Sequence, residues 1–311
     1  MTPVTSLRVL RPVAGTDVVA VGRLHDAAEA VDGHPSLNDT VWRDLEAGGS
    51  GSAGVLATDD ETSVGYVHVA RSDNFATPHW ELGLVVHPDH RGRGLESELL
   101  AGTVDHIASK GGGLAVLWVL GADDRADAAV APAGFAPQRD LLEMRVPLPL
   151  AEHPVWPASV EARAFVPGRD DEAWLEVNNR AFANHPEQSG WVAATLRRRM
   201  AEPWFDAAGF LLAFDDDGLA GFCWTKIHPP EPGESEQLGE IFVIGVDPSR
   251  HGRGLGRALT VAGLASLAER GVGTGMLFVD GANEAAVRLY RSLGFETYRL
   301  DRAYSREVAP A

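Results

Sequence analysis

The chain has 311 residues, too many for one compact domain of ordinary size and a comfortable length for two. Its 45% apolar content allows buried cores, and its formal charge of −17 argues against a general nucleic-acid-binding protein. The single cysteine, Cys223, excludes an internal disulfide and a cysteine-rich metal site. There is no apolar run of about 18 residues and no basic-then-apolar leader, so we expect a cytoplasmic monomer without a membrane partner.

The first half of the sequence alternates strand and helix patterns. We predict strands where apolar residues alternate or run together between turn residues, and helices where they recur every three to four residues. In chain order this gives a strand, two helices, three strands, a helix, a strand, a helix and a strand. Their predicted bounds are 7–11, 17–30, 38–45, 55–57, 64–70, 80–86, 96–110, 114–120, 122–130 and 141–146.

The second half repeats this order after a linker predicted at 147–157, which holds four prolines. Pro88 and Pro248, like Phe135 and Phe295, lie 160 residues apart, and the register needs no gap between them. The sequence therefore predicts a tandem duplication, with domains at 1–147 and 158–311. The predicted elements are strands at 160–166, 210–214, 219–227, 239–246, 275–279 and near 298–300, and helices at 170–183, through 197–199, at 255–270 and at 283–292.

A loop rich in glycine and arginine follows one strand of each repeat. In the second repeat it is His251-Gly-Arg-Gly-Leu-Gly-Arg257, and a helix pattern begins inside it. Glycines let the backbone approach an anion, and a helix N-terminus adds partial positive charge, so the loop is typical of a phosphate site. A plain strand–helix turn is the alternative. In the first repeat Glu96 replaces Gly256, which puts a carboxylate near any bound pyrophosphate.

The order of elements, this loop and the ending Asn283-x-x-Ala286-x-x-x-Tyr290-x-x-x-Gly294-Phe295 resemble the GNAT superfamily of acyl-CoA-dependent acetyltransferases. The resemblance covers both halves. It implies two tandem α/β domains, each a mixed, mostly antiparallel sheet flanked by helices. It also implies acetyl-CoA as co-substrate, a small-molecule amine as acceptor and no metal, and the histidines show no ligand spacing.

A closer resemblance is to the mycothiol synthase family, tandem GNAT proteins of actinobacteria. Residues 177–191, 222–226 and 238–248 carry it. That family acetylates the cysteinyl amine of cysteinyl-glucosaminyl-inositol, the last step of mycothiol biosynthesis. Two alternatives stay open: a tandem GNAT enzyme for another polyhydroxylated amine, such as an aminoglycoside, and a non-catalytic acetyl-CoA-binding protein.

The resemblance implies roles for individual residues in the second repeat. Glu240 is the base for the substrate ammonium, and its apolar neighbours would partly desolvate it; a solvated strand end is the alternative. Tyr290 protonates the departing thiolate, although a tyrosine at that spacing also suits a core. The implied substrate contacts are Asp39, Glu187, Lys226, Glu240 and Phe278, the last standing where the family has a tyrosine.

The implied acetyl-CoA contacts fall in both repeats. Gly245 predicts a bulge or a close backbone approach, with packing as the alternative. The N–H of Val246 is expected to face the thioester oxygen. The contacts in the second repeat are Ile244, Gly245, Val246, His251, Gly252, Arg253, Gly254, Leu255, Gly256, Arg257, Asn283, Glu284, Ala285, Ala286, Val287 and Arg288.

The first repeat matches the donor site but lacks the reactive groups. Trp80 stands at the position of Glu240 and Val130 at that of Tyr290, so we predict a non-catalytic, structural or regulatory unit. Glu96 argues against strong binding of acetyl-CoA there. The matching contacts are Leu84, Val85, Val86, Gly92, Arg93, Gly94, Leu95, Glu96 and Ser97.

Overall fold

The computed structural model describes residues 6–11, 13, 15–48, 52–72, 78–183, 188, 190–230 and 236–311. By its internal contacts the chain divides into two units. Unit 1 comprises residues 1–142, 280–282 and 299–311, and unit 2 comprises residues 143–279 and 283–298. Both are mixed sheets flanked by helices, which confirms the predicted fold class.

The first repeat folds in the predicted order. Asn38 caps the second helix by accepting hydrogen bonds from the N–H groups of Thr40 and Val41. The elements are β1 (Ser6–Leu10), α1 (Thr16–Asp32), α2 (Asp39–Glu46), β2 (Ala53–Asp59), β3 (Thr62–Ser72), β4 (His79–Val86), α3 (Leu95–Ala108), β5 (Gly113–Val119), α4 (Asp124–Val130) and β6 (Ala136–Pro147).

The second repeat has the same order of elements. They are β7 (Glu161–Ala164), α5 (Asp171–Ala181), α6 (Ala193–Met200), β8 (Phe210–Asp215), β9 (Gly218–His228), β10 (Leu238–Val246), α7 (Leu255–Glu269), β11 (Thr274–Asp280), α8 (Glu284–Ser292) and β12 (Glu296–Val308). No helix in the described part of the chain is both long and apolar enough to cross a bilayer.

The two sheets have equivalent strand orders. In unit 1 the order is β1-β2-β3-β4-β5-β12, with β4 and β5 parallel and the other pairs antiparallel. In unit 2 the order is β7-β8-β9-β10-β11-β6. From β7 to β11, the pair β10 and β11 is parallel and the other neighbouring pairs are antiparallel. Each sheet therefore ends on a strand that comes from the other repeat.

The last strand, predicted near 298–300, is present but longer than predicted. Strand β12 continues to Val308 and pairs with β5 along its second half. Its charged residues hide the strand pattern in the sequence, yet Arg302 has two acidic partners in unit 1. The Arg302 guanidinium binds Asp140 at 2.6 Å and Asp127 at 3.0 Å, and the Tyr304 hydroxyl donates to Asp127 at 2.6 Å.

Helices cover both faces of each sheet. Alternation along β3 places Tyr66 in the cluster with α1 and α2, and Val67 in the cluster with α3. In unit 2 an aromatic cluster built around Trp174 and Trp224 packs α5 and α6 on one face. Helix α7 packs on the other face, where a Cβ on Gly221 would meet the Leu259 side chain at 2.9 Å.

Candidate active site

Strand β10 loses its partner on one side before it reaches the glycine loop. Within the described strands, residues 238–240 pair in parallel with β11 and later residues of β10 do not. On its other side β10 stays paired with β9 as far as Val246, with a bulge between Ile241 and Val243. Strands β10 and β11 therefore diverge after Glu240, and backbone groups of β10 are left unpaired along the opening.

One hydrogen bond fixes the direction of those backbone groups. The Asp247 N–H donates to the carbonyl of Ala220, a residue of β9, at 2.9 Å. Because backbone groups alternate sides along a strand, the N–H groups of Val246 and Ile244 point the other way, toward the opening. An extended ligand lying along β10 would meet them as a neighbouring strand does.

Gly245 is explained by packing on the β9 side of the strand. A Cβ there would meet the Phe222 ring at 2.8 Å and the Ala181 Cβ at 3.3 Å. The bulge of β10 lies at Phe242 instead. The geometry thus favours the packing interpretation of this glycine over a bulge.

The glycine loop is open on the face that would receive a phosphate. Gly252 and Gly254 have φ of +77° and +81°, a left-handed backbone that favours glycine. A Cβ on either residue would meet nothing within 4 Å. Gly254 is also the N-cap of α7, so the unpaired N–H groups of the first turn lie beside it. The loop can therefore present backbone donors to an anion.

Asp247 holds the start of this loop in place. Its carboxylate accepts hydrogen bonds from the N–H and the hydroxyl of Ser249 at 3.0 and 2.6 Å, and it binds Arg180 at 2.8 Å. Burial acts to raise the pKa of Asp247, but the bonds from Ser249 and Arg180 outweigh it and lower the pKa to about 2. The carboxylate is thus a fixed anchor that stays ionised.

Three arginines flank the loop, and two are already paired. Arg250 binds Asp215 at 3.2 Å. Arg257 forms two bonds to Glu152 of the linker, at 2.8 and 2.5 Å. Arg253 is exposed and makes no ion pair with the residues that the structure describes. Of the predicted loop cations, Arg253 is the one available to a phosphate, while His251 turns back to the strand with Nε2 at 3.1 Å from the Val246 carbonyl.

Glu240 lies where β10 leaves β11, and β9 supplies two basic side chains beside it. Its cross-strand partner is Lys226, whose Nζ lies 5.3 Å from the centre of the Trp204 ring. The Glu240 side chain is only 10% exposed, and its Oε2 lies 2.7 Å from Nε2 of His228. His228 was not among the residues predicted from the sequence. It lies two residues after Lys226 on the same strand, so both side chains are on the same face of the sheet.

Tyr290 is buried on the inner face of α8. Its side chain is 6% exposed and its ring lies 5.6 Å from that of Phe295. Burial raises the pKa of the hydroxyl above its ordinary value, so the group stays protonated at neutral pH. Among the described residues, none forms a hydrogen bond with that hydroxyl. The hydroxyl therefore remains available as a proton donor, even though the ring also belongs to the core.

The first turns of α8 are mostly exposed. The Asn283 side chain caps this helix by accepting the N–H of Ala286 at 3.2 Å. Arg288 pairs with Glu284 at 2.9 Å, and Val287 faces the core. Ala285 is exposed, like Asn283 and Glu284. Most of the acetyl-CoA contacts predicted at the start of α8 are thus exposed or half-buried, and Val287 is the buried one.

The other predicted acceptor contacts are spread along the chain. Phe278 is 39% exposed on β11, beyond the last residue paired with β10. Asp39 begins α2 of unit 1 and is exposed. Glu187 lies outside the described residues. Only Lys226 and Glu240, from neighbouring strands, are brought together by the register of unit 2.

In the matching loop of unit 1, a carboxylate of the loop itself binds one of the backbone N–H groups. Gly92 and Gly94 again have positive φ, and α3 begins at Leu95 as α7 does at Leu255. Glu96 is 9% exposed, and its Oε1 accepts the N–H of Gly92 at 3.3 Å. A backbone donor that a pyrophosphate would need is therefore already used.

The remaining donor contacts predicted in unit 1 lie at this loop and at the end of β4. Leu84, Val85 and Val86 end the strand, and Arg93 is exposed. The Ser97 hydroxyl donates to the Ala129 carbonyl at 2.8 Å.

Comparison with known proteins places both repeats in one family. The model of the acetyltransferase (GNAT) family matches residues 22–135 and 172–295. The chain is 47% identical to a mycothiol acetyltransferase of Thermobispora bispora, over 93% of this chain and 96% of that protein. It is 42% identical to a mycothiol acetyltransferase of Streptomyces avermitilis, over 97% of this chain and 96% of that protein.

Solved structures show the same tandem fold. A GCN5-related N-acetyltransferase from Sphaerobacter thermophilus has a TM-score of 0.75 at 24% identity and covers 98% of this chain and 96% of its own. A tandem GNAT protein from the clavulanic acid biosynthesis pathway has a TM-score of 0.70 at 19% identity. The match covers 98% of this chain and 100% of that protein.

Proposed function

The chain belongs to the GNAT acetyltransferases and, within them, to the mycothiol acetyltransferase family, and from this we propose its reaction. It transfers the acetyl group of acetyl-CoA to the cysteinyl amine of cysteinyl-glucosaminyl-inositol, the last step of mycothiol biosynthesis. The acceptor is thus a small amine that carries many hydroxyls.

The observation that carries the proposal is the divergence of β10 from β11. It aligns an acid, a row of unpaired N–H groups and an open glycine loop along one strand, in the order Glu240, residues 244–246 and residues 252–254. A thioester donor needs the same three features: a base for the amine, donors along its arm and a cradle for its pyrophosphate.

The donor would be held by groups of unit 2. The N–H groups at Gly252, Gly254 and the first turn of α7 suit the pyrophosphate, and Arg253 supplies an exposed cation. The strand edge at residues 244–246 suits the extended arm that leads to the thioester.

We assign the chemical steps as follows. Glu240 removes one proton from the substrate ammonium, and the free amine attacks the thioester carbon. The Val246 N–H stabilises the oxyanion, a contact worth about 3 kcal/mol in comparable sites. When the C–S bond breaks, the hydroxyl of Tyr290 gives its proton to the thiolate. The second nitrogen proton leaves to solvent as the amide forms, and Tyr290 regains its proton from solvent.

The experiment is a turnover assay with purified protein, acetyl-CoA and the cysteinyl pseudo-disaccharide, with an aminoglycoside as the competing acceptor. We expect CoA release that depends on the pseudo-disaccharide and a product acetylated on the cysteinyl nitrogen. Turnover of the aminoglycoside alone would favour the other enzyme class, and release of no CoA with either acceptor would contradict the proposal.

A further inference from the structure

We propose that His228 is a positioning residue for Glu240, an inference that rests on the proposed reaction. Its Nε2 lies 2.7 Å from Glu240 Oε2, within the range of a short, charge-assisted hydrogen bond. An ionised carboxylate can only accept, so His228 donates and carries its proton on Nε2. The bond holds one carboxylate oxygen and leaves the other for the amine.

The strand register explains why this pair forms. His228 stands opposite Leu238 and Lys226 opposite Glu240, so all four side chains share one face of the β9–β10 pair. Glu240 bonds to the diagonal histidine, while Lys226 lies near Trp204. The bulge after Ile241 shifts the following residues, so Glu240 is the last side chain on this face of β10 before the register changes.

The first repeat has a histidine next to an acid at the equivalent strand position. His68 is the counterpart of His228, and it also has an acidic partner, Asp44 of α2, at 2.9 Å. That histidine is completely buried, whereas the His228 side chain is 31% exposed. A histidine at this strand position thus lies beside an acid in both repeats, but only in unit 2 does the acid stand where the parallel strands diverge.

The test compares two substitutions of His228. His228→Phe removes the donor, and we expect kcat to fall about 10-fold to 100-fold with KM for acetyl-CoA nearly unchanged, because the base loses its fixed orientation. His228→Gln keeps an N–H donor at similar reach, and we expect kcat within about 3-fold of the wild type. If His228→Phe unfolds, His228→Ala replaces it.

A double-mutant cycle with Glu240→Gln separates positioning from any independent role. If His228 acts through Glu240, adding His228→Phe to Glu240→Gln lowers kcat by less than about 2-fold further. Three results would each overturn the proposal. The first is a double variant whose loss of kcat equals the product of the two single losses. The others are a wild-type kcat in His228→Phe, and equal losses of kcat in His228→Phe and His228→Gln. Absence of turnover by the wild-type protein would instead contradict the proposed function.

Discussion

The two repeats hold the same loop on the same scaffold, yet in unit 1 a side chain of the loop already takes one of its backbone donors. The support is shared: Arg91 Nε donates to the Val86 carbonyl at 3.0 Å, and His251 Nε2 lies 3.1 Å from the Val246 carbonyl at the equivalent place. One difference between the loops puts a carboxylate on the backbone donors, namely Glu96 in place of Gly256. A duplication can therefore keep the architecture of an anion site while one side chain occupies it.

The strands that lead to the loops differ as well. In unit 1, β4 pairs with β5 through Gly83, and its pairing with β3 has no bulge. In unit 2, β10 leaves β11 after Glu240, three positions earlier in the repeat, and carries a bulge. Trp80, the counterpart of Glu240, donates its indole N–H to the Gly112 carbonyl at 3.0 Å. The opening between the two parallel strands is thus shorter in unit 1 than in unit 2.

The largest expected effect is the loss of the base in unit 2. Glu240→Gln should lower kcat about 100-fold to 1,000-fold, because a general base contributes on that order. The matched control, Trp80→Phe in unit 1, should leave kcat unchanged. Steady-state assays of both variants check this, and equal effects of the two substitutions would contradict the division of roles.

Removal of the proton donor should have the next largest effect. Tyr290→Phe should lower kcat about 10-fold to 100-fold, since the thiolate would leave unprotonated. Burial raises the pKa of this hydroxyl above its ordinary value of about 10, so the protonated, active form persists as pH rises. The wild-type kcat should therefore not decline below about pH 10 through this group. A decline near pH 8 that is absent from Tyr290→Phe would contradict the assignment.

A glutamate in the second loop should close it as Glu96 closes the first. Gly256→Glu has room, because a Cβ there meets its nearest neighbours, Leu289 and Val246, at 3.9 Å. We expect the Kd for acetyl-CoA to rise about 10-fold or more, from lost N–H donors and charge repulsion. Calorimetric titration measures this, and Gly256→Gln controls for size without charge.

The reciprocal change should open the first loop. Glu96→Gly frees the N–H of Gly92 and removes the carboxylate, so we expect weak binding of a second acetyl-CoA. Turnover should stay at the wild-type value, because unit 1 still lacks counterparts of Glu240 and Tyr290. An unchanged stoichiometry in equilibrium dialysis would show that more than Glu96 closes this site.

The smallest expected effect is on stability. The pKa of Asp247 is lowered to about 2, so its ionised form stabilises unit 2 above its ordinary pKa of about 4, and this contribution is lost as pH falls through about 2. Asp247→Asn should lower the free energy of unfolding by about 2 kcal/mol at pH 7, and by less at pH 3.

The buried Trp174 and Trp224 report unfolding of unit 2 by fluorescence. His87→Asn, at the counterpart position in unit 1, serves as the control. An equal loss of stability at pH 7 and pH 3 would contradict the role of the Asp247 charge.

The sequence could predict the repeated elements and the loop because both are local patterns. The pairing of His228 with Glu240 depends on the register and the bulge of β10, which the sequence does not reveal. The exchange of last strands was also hidden, because β6 and β12 are counterparts and either would fit beside β5. The sequence predicted that Glu96 would repel an anion, but the hydrogen bond that Glu96 accepts from the Gly92 N–H could be seen only in the structure.

The number of acetyl-CoA molecules bound to each wild-type chain tests the comparison of the two repeats most directly. Equilibrium dialysis with radiolabelled acetyl-CoA measures it, with Gly256→Glu in parallel. We predict one molecule per wild-type chain, and clearly less than one at the same concentration in the variant. Two molecules per wild-type chain, or one that persists in Gly256→Glu, would contradict the conclusion that unit 2 alone holds the donor.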